Sequence, residues 1–287
     1  MVMIQLTDDE RSAGALSADH LTEAVEAVRR DGYVVLEKVV DEAHLDALHE
    51  RIVADVALLQ ARPDAPYNWH AGNVQQDPPP FEPFLFRDVL VNEFAIQVTS
   101  AILGPGMTNV MYGGNTALPS ENRQPVHADV GHLWPVDVME VAHPPAELVV
   151  NVLTVDVSAE NGGTEIWPGT HRELAVGAGD DIEIPLDILE ARRAVAPPFQ
   201  ATFPRGSMMI RDIRLWHAGM PNHTDQARPM IAMIHRAGFL SHDNPLRFPA
   251  GSEELLAHPV LRQAATYVEG DIDYINAPGG HAYTPES

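Results

Sequence analysis

QPVHADVGHLW, residues 124–134, places two histidines and an aspartate within six positions. In an extended segment, His127 and Asp129 project from one face, about 6–7 Å apart along the backbone, and can converge on one ion. In a helix, residues two apart point to different sides. The chain contains its own control, because His44-Leu45-Asp46 has the same spacing but lies in a helical pattern. That copy reads as a solvated helix face, whereas the neighbours of His127 favour a strand or strand end. His132, an odd five residues from His127, points away from the shared face. A third ligand candidate, His217, comes 88 residues after Asp129 in RLWHAGMPN, behind an apolar strand-like run and before the turn Ala218-Gly219. Two histidines and a carboxylate suit non-haem Fe(II), with coordination positions left open. Zinc accepts the same set in hydrolytic sites.

The rest of the chain bounds the reading. It has 287 residues, 45% hydrophobic and 21% charged, which is enough to bury a large core. With no cysteine, disulfides, thiolate metal sites and a thiol nucleophile are excluded. No apolar run reaches the roughly 18 residues of a membrane span. The opening MVMIQLTDDERSAG lacks a basic-then-apolar leader pattern, so a cytoplasmic address is expected. The formal charge, 18 basic against 41 acidic residues or −23, repels nucleic acid and anionic membranes. It also argues mildly against a polyanionic substrate such as a coenzyme A thioester. A small molecule is the expected partner, and a homodimer is permitted.

SADHLTEAVEAVRR (17–30) reads as an amphipathic helix capped by Ser17, with Leu21, Ala24, Val25 and Val28 on one face. A strand follows in DGYVVLEKVV (31–40). A second helix begins near Asp41 with Leu45, Leu48, Ile52 and Val56 inward, and a third covers about 87–103. Residues 62–85, rich in proline and aromatics, are expected to form a long ordered loop. Beyond residue 105 short strands alternate with turns: 107–112, 147–155, 199–203, 207–212 and 230–236. The expected architecture is mainly β with a helical buttress (about 17–103), a double-sheet jelly-roll core (about 105–240) and a C-terminal extension (about 241–287), all in one domain.

Several short motifs occur in a fixed order. They are Gln124-x-x-His127-x-Asp129, Asn161-Gly162-Gly163-Thr164, Pro168-Gly169-Thr170-His171, Trp216-His217-x-Gly219-x-x-Asn222 and Arg228-Pro229. The arginine stands eleven residues after His217. This ordered set, running from the DGYVVLE strand to about residue 240, resembles the phytanoyl-CoA dioxygenase (PhyH-like) family of Fe(II)/2-oxoglutarate-dependent oxygenases. The resemblance implies a double-stranded β-helix, cupin-like core with iron held by His127, Asp129 and His217. It implies that Arg228 receives the distal carboxylate of 2-oxoglutarate, a match of planar guanidinium to carboxylate. Gln124 and Thr164 match positions that offer an amide and a hydroxyl to the cosubstrate. His171 reads as structural, and the Asn-Gly-Gly stretch as a turn.

The chemistry implied is oxidative: O2 and 2-oxoglutarate are consumed, succinate is released, and a substrate C–H bond is oxidised. Halogenating relatives lack the carboxylate ligand, so Asp129 favours hydroxylation, desaturation, epoxidation or rearrangement. Tyr67, Asn73, Tyr112, Asn115, Trp134 and Trp216 are candidate substrate contacts, in an aromatic pocket with a few amides. A hydrophobic natural product is the preferred substrate. The alternatives are an acyl-CoA or other primary-metabolite hydroxylase of the same family, a metal-dependent hydrolase or isomerase on a cupin-like barrel, and a binding protein that has kept the fold.

Overall fold

The structure is a computed structural model and describes residues 1–282. The helices are α1 (Asp8–Ala13), α2 (Ala18–Asp31), α3 (Glu42–Gln60), α4 (Arg87–Leu90), α5 (Glu93–Leu103), α6 (Leu186–Val195) and α7 (Glu253–Leu256). Eleven strands precede the C-terminal extension: β1 (Met3–Gln5), β2 (Tyr33–Glu37), β3 (Tyr67–Asn68), β4 (His70–Gln75), β5 (Thr108–Ala117), β6 (Glu147–Leu153), β7 (Glu165–Ile166), β8 (Phe199–Gln200), β9 (Met208–Asp212), β10 (His217–Ala218) and β11 (Arg228–Arg236). The extension adds β12 (Leu246–Pro249), β13 (Arg262–Gln263) and β14 (Ala265–Val268).

The large sheet runs β1-β2-β9-β6-β11-β5-β4-β3, with β13 also paired to β5, and it does not close. A small sheet, β10-β7-β8, lies apart from it, and β12 pairs with β14.

Alternation along the central strands assigns the two faces of the large sheet. Leu148, Val150 and Val152 of β6, Met208 and Ile210 of β9, and Ile231 and Met233 of β11 join one core cluster. Ala24 and Val28 of α2, Leu45 and Leu48 of α3, and Ile96 of α5 belong to the same cluster. Each large aliphatic side chain buried there contributes roughly 1.5–3 kcal/mol. The residues between them (Val149, Asn151, Met209, Arg211, Met230, Ala232) line a cavity on the opposite face. Period two thus separates structural from functional positions on the same strands.

The first two helices fall where their patterns place them. Ser17 accepts from His20 N at α2, and Asp41 accepts from Ala43 N at α3. The expected third helix is broken into α4 and α5. Asn92 restarts it, its side chain accepting from Ala95 N while Nδ2 donates to Val39 O and Asp88 O. Residues 62–85 are not all loop either, since β4 pairs antiparallel with β5 through Val74 opposite Thr116. Pairing to an available edge, rather than propensity, makes that strand. The solvated-face reading of His44 also needs correction. Its Nδ1 meets Asp88 Oδ1 at 2.9 Å and its ring stacks on Phe86 at 4.1 Å. Asp46 pairs with Arg205.

The extension is bound to the core rather than appended to it. β13 joins β5, and His281 bridges to Asn68; residues 283–287 lie outside the described residues. No described helix is long and apolar enough to cross a membrane.

Gly114 marks a close approach of β5 and β11. A Cβ there would lie 2.0 Å from Met230 O, which is backbone and cannot swing aside. Gly114→Ala is expected to destabilise the protein by about 1–3 kcal/mol, read as a melting temperature several degrees lower; an unchanged melt would disprove the clash.

Candidate metal centre and its cavity

Val126–Ala128 is an extended segment held on both sides. His127 bridges to His217 on one side and to Glu183 on the other. The pairing with β10 is reciprocal: His127 N donates to His217 O at 3.0 Å, and His217 N to His127 O at 2.9 Å. Two distant sequence motifs therefore meet with their rings 4.4 Å apart. Asp129, two residues on, completes the group, and the ligand atoms of His127, Asp129 and His217 all lie within 4.8 Å of one another.

The protonation pattern suits a cation. His127 Nδ1 faces Pro125 O and His217 Nδ1 faces Leu215 O, each at 2.9 Å. A ring nitrogen facing a carbonyl must donate, so each ring turns its Nε2 toward the cluster as the atom for a ligand bond. Burial, reinforced by His217, pushes His127 down to about 3, leaving it neutral. Burial alone would raise Asp129, but the Arg211 guanidinium and His217 outweigh it and hold the carboxyl well below the usual range. Asp129 Oδ2 accepts from Arg211 Nη2 at 2.7 Å, while Oδ1 lies 3.4 Å from His217 Nε2. Its side chain is 33% exposed, and it lines the cavity. Two imidazole Nε2 atoms and one ionised carboxylate thus face one point, which fits a divalent transition metal.

The cavity has a volume of about 280 Å³. Arg228, at the start of β11, lines it and is only 4% exposed. Its Nε and Nη2 donate to Asn161 O and Gly162 O, both at 2.9 Å. The Asn-Gly turn is therefore also the clamp on this arginine. Among the described residues no carboxylate pairs with Arg228. Burial lowers it to about 10, so it stays charged at neutral pH. A buried cation without a counter-ion is costly, and an anion entering the cavity relieves it.

Gln124 lines the cavity, but its Oε1 accepts from Gly219 N at 2.7 Å. A Cβ on Gly219 would stand 2.6 Å from that oxygen, so the glycine after His217 is needed for this lock. Thr164 also lines the cavity.

Of the expected substrate contacts, Asn73 and Asn115 are there, joined by Asn115 Nδ2 donating to Asn73 Oδ1 at 2.8 Å. The aromatic candidates are not. Tyr67 does not line the cavity. Tyr112 points to the helical face, because Met111 takes the cavity side of β5. Trp134 is 51% exposed beside His143. Trp216 is buried with Trp167 in a separate core. Among the described residues the lining holds no Phe, Tyr or Trp; methionines, aliphatics and amides stand where the aromatic wall was expected. His132 binds Glu173 O and Arg214, and His171 faces Arg29 O, both outside the cavity.

The sequence reading gave no role to Arg211, and placed Trp69 only in the loop expected over the mouth of the barrel. Arg211 reaches Asp129, and its signal was a lone arginine alternating with methionine in SMMIRD. Trp69, with φ 62°, lays its ring 4.2 Å from that of His127 and donates Nε1–H to Glu183 Oε1 at 3.1 Å. No local pattern announces that contact.

Residues 28–230 match the phytanoyl-CoA dioxygenase (PhyH) family. The chain is 23% identical over 274 residues to dioxygenase af480 of Aspergillus fumigatus, covering 89% of this chain and 82% of that protein. Among solved structures it resembles AviO1 from Streptomyces viridochromogenes (22% identity, TM-score 0.58, 80% of this chain and 100% of that one). It also resembles the epimerase SnoN, solved with Fe3+, alpha-ketoglutarate and nogalamycin RO (18% identity, TM-score 0.60, 89% and 98%). At these identities the structural likenesses establish the fold, a cupin-like jelly roll.

Proposed function

Because this chain belongs to the phytanoyl-CoA dioxygenase family, whose members use Fe(II), 2-oxoglutarate and O2, we propose that it oxidises an unactivated C–H bond of a small natural-product substrate. His127, Asp129 and His217 hold the iron, and Arg228 receives the distal carboxylate of 2-oxoglutarate. The observation that carries this is the sharing of one cavity by a three-ligand cluster and a buried arginine with no carboxylate partner among the described residues. A hydrolase or isomerase using the same ligands has no need of Arg228.

Bound iron supplies the oxidising chemistry. The chain's own residues do the rest. The Nδ1–H bonds to Pro125 O and Leu215 O fix the imidazole planes. Arg211 occupies Asp129 Oδ2 and leaves Oδ1 toward the cluster. Gln124 pins the backbone after His217. Methionine and aliphatic walls exclude water, while the Asn73–Asn115 pair offers polar contacts to an oxygenated scaffold. Acidic charge and the absence of a basic patch in the sequence favour such a substrate over an acyl-CoA.

The test is anaerobic addition of Fe(II) and 2-oxoglutarate. The weak visible charge-transfer band of the family should appear only with both present, and its absence from metal-loaded protein would refute the assignment.

Asp129→Gly should lower iron occupancy, reduce C–H oxidation by more than ~100-fold, the upper range for disturbing a ligand's supporting contacts, and open a position for chloride. Iron content and product analysis in chloride buffer measure this; unchanged oxidation would show that Asp129 is not a ligand.

A further inference from the structure

The same cavity contains two buried hydrogen-bond donors that the fold does not use. Arg211 donates Nε–H to Asn151 Oδ1 at 3.2 Å and Nη2–H to Asp129 Oδ2 at 2.7 Å. Its Nη1 and the Nδ2 of Asn151 are buried with no partner among the described residues. Rotating the amide does not remove the problem, because Arg211 Nε–H needs the oxygen where it stands. Both side chains line the cavity and are almost fully buried, at 5% and 2% exposure. Unsatisfied buried donors are unfavourable and mark a place for acceptor oxygens. Two such donors on neighbouring side chains of one cavity, one of them cationic, suit the oxygens of a carboxylate.

The surroundings define what the carboxylate is attached to. Val149, Ile213 and Ala232 form a small apolar cluster, with Met111, Val130 and Ile234 packed against it. All six line the cavity. Val149 pairs with Arg211 on one side and with Ile234 on the other. Arg228 lies six residues before Ile234 on β11, roughly 20 Å along the strand. The two arginines therefore enter the cavity from opposite ends.

Charge agrees with this division. The lining residues include two arginines and one carboxylate, Asp129, a net of one positive charge. Fe(II) and the 2-oxoglutarate dianion cancel each other, so one positive charge is left for the substrate.

We propose that Arg211 and Asn151 form the substrate-recognition subsite and bind the carboxylate of a monoanionic substrate whose apolar body packs on Val149, Ile213 and Ala232. This rests on the iron and 2-oxoglutarate reading given above.

The experiment is anaerobic titration calorimetry of protein loaded with Fe(II) and saturating 2-oxoglutarate, with benzoate and its neutral isostere benzamide as probes. Benzoate should bind at least ~10-fold more tightly than benzamide. Asn151→Leu and Arg211→Gln should each weaken benzoate about tenfold, the loss of one charge-assisted hydrogen bond. Asn151→Leu, which does not touch a metal ligand, should keep wild-type iron occupancy and 2-oxoglutarate affinity. Equal binding of the two probes, an Asn151→Leu protein that binds benzoate like wild type, or displacement of benzoate by added 2-oxoglutarate would each overturn the proposal. Loaded wild type that treats the probes alike refutes only this subsite. Wild type that takes up neither iron nor 2-oxoglutarate refutes the parent reading as well.

Discussion

His217→Ala is expected to yield a folded protein that neither retains Fe(II) nor forms succinate. The backbone bonds that hold β10 against His127 run through main-chain N and O atoms, so they survive loss of the ring. What disappears is one of three converging ligand atoms and the ring's bond to Leu215 O. Disturbing the contacts that merely support a ligand costs 10–100-fold in affinity or activity, so removing the ligand should cost more than ~100-fold. His127→Ala should behave alike, with a further loss because Trp69 packs at a tilt against that ring. His44→Ala and Asp46→Ala are the controls. His44 lies against Asp88 and Phe86 on the helical side, so its loss should cost at most ~1 kcal/mol of stability and leave iron content unchanged. Iron analysis after anaerobic reconstitution, with a thermal melt on each variant, reads all four. Full turnover by His217→Ala would end the assignment of the metal centre.

Arg228→Ala is expected to raise the 2-oxoglutarate requirement on the order of 10–100-fold, corresponding to ~1.5–3 kcal/mol of charged hydrogen bonding. The direction follows from burial: a guanidinium 4% exposed, partnered among the described residues by two backbone carbonyls, keeps its charge available to an anion. Iron binding should persist, since the three ligands are untouched. Truncation also strips Asn161 O and Gly162 O of their donor, so some thermal stability should be lost, and Arg228→Lys is the necessary companion. Lysine keeps the charge but not the planar fork, and its requirement should fall between wild type and Ala. Succinate formation titrated against 2-oxoglutarate, with iron occupancy followed in parallel, decides it. An Ala variant with wild-type dependence would mean that the cosubstrate is anchored elsewhere.

The metal cluster and Arg228 were legible in the sequence because their chemistry needs particular residue types at particular spacings. An H-x-D pair on an extended segment shares a face whatever surrounds it, and the bridge between His127 and His217 delivers the expected third ligand. The control pair at His44 has contacts with Phe86 and Asp88 that its helical pattern did not announce.

The wall of the cavity was less legible. Tyr112, Trp134 and Trp216 flank ligand-bearing segments in sequence, yet one faces the helices, one faces solvent and one fills another core. A strand places neighbouring residues on opposite faces, so nearness along the chain says little about which side chain enters the site.

By itself, then, the sequence determined the helices capped at Ser17 and Asp41, the central strands, and the candidate set of His127, Asp129, His217 and Arg228. These are local patterns, or pairings of residue types whose chemistry narrows their use. Tertiary structure alone decided that Asn92 breaks a helix, that β4 adds to the sheet, that Trp69 covers His127, and that Arg211 and Asn151 meet beside Asp129. Each of these depends on contacts between segments far apart in the chain, whose energies no window of sequence contains.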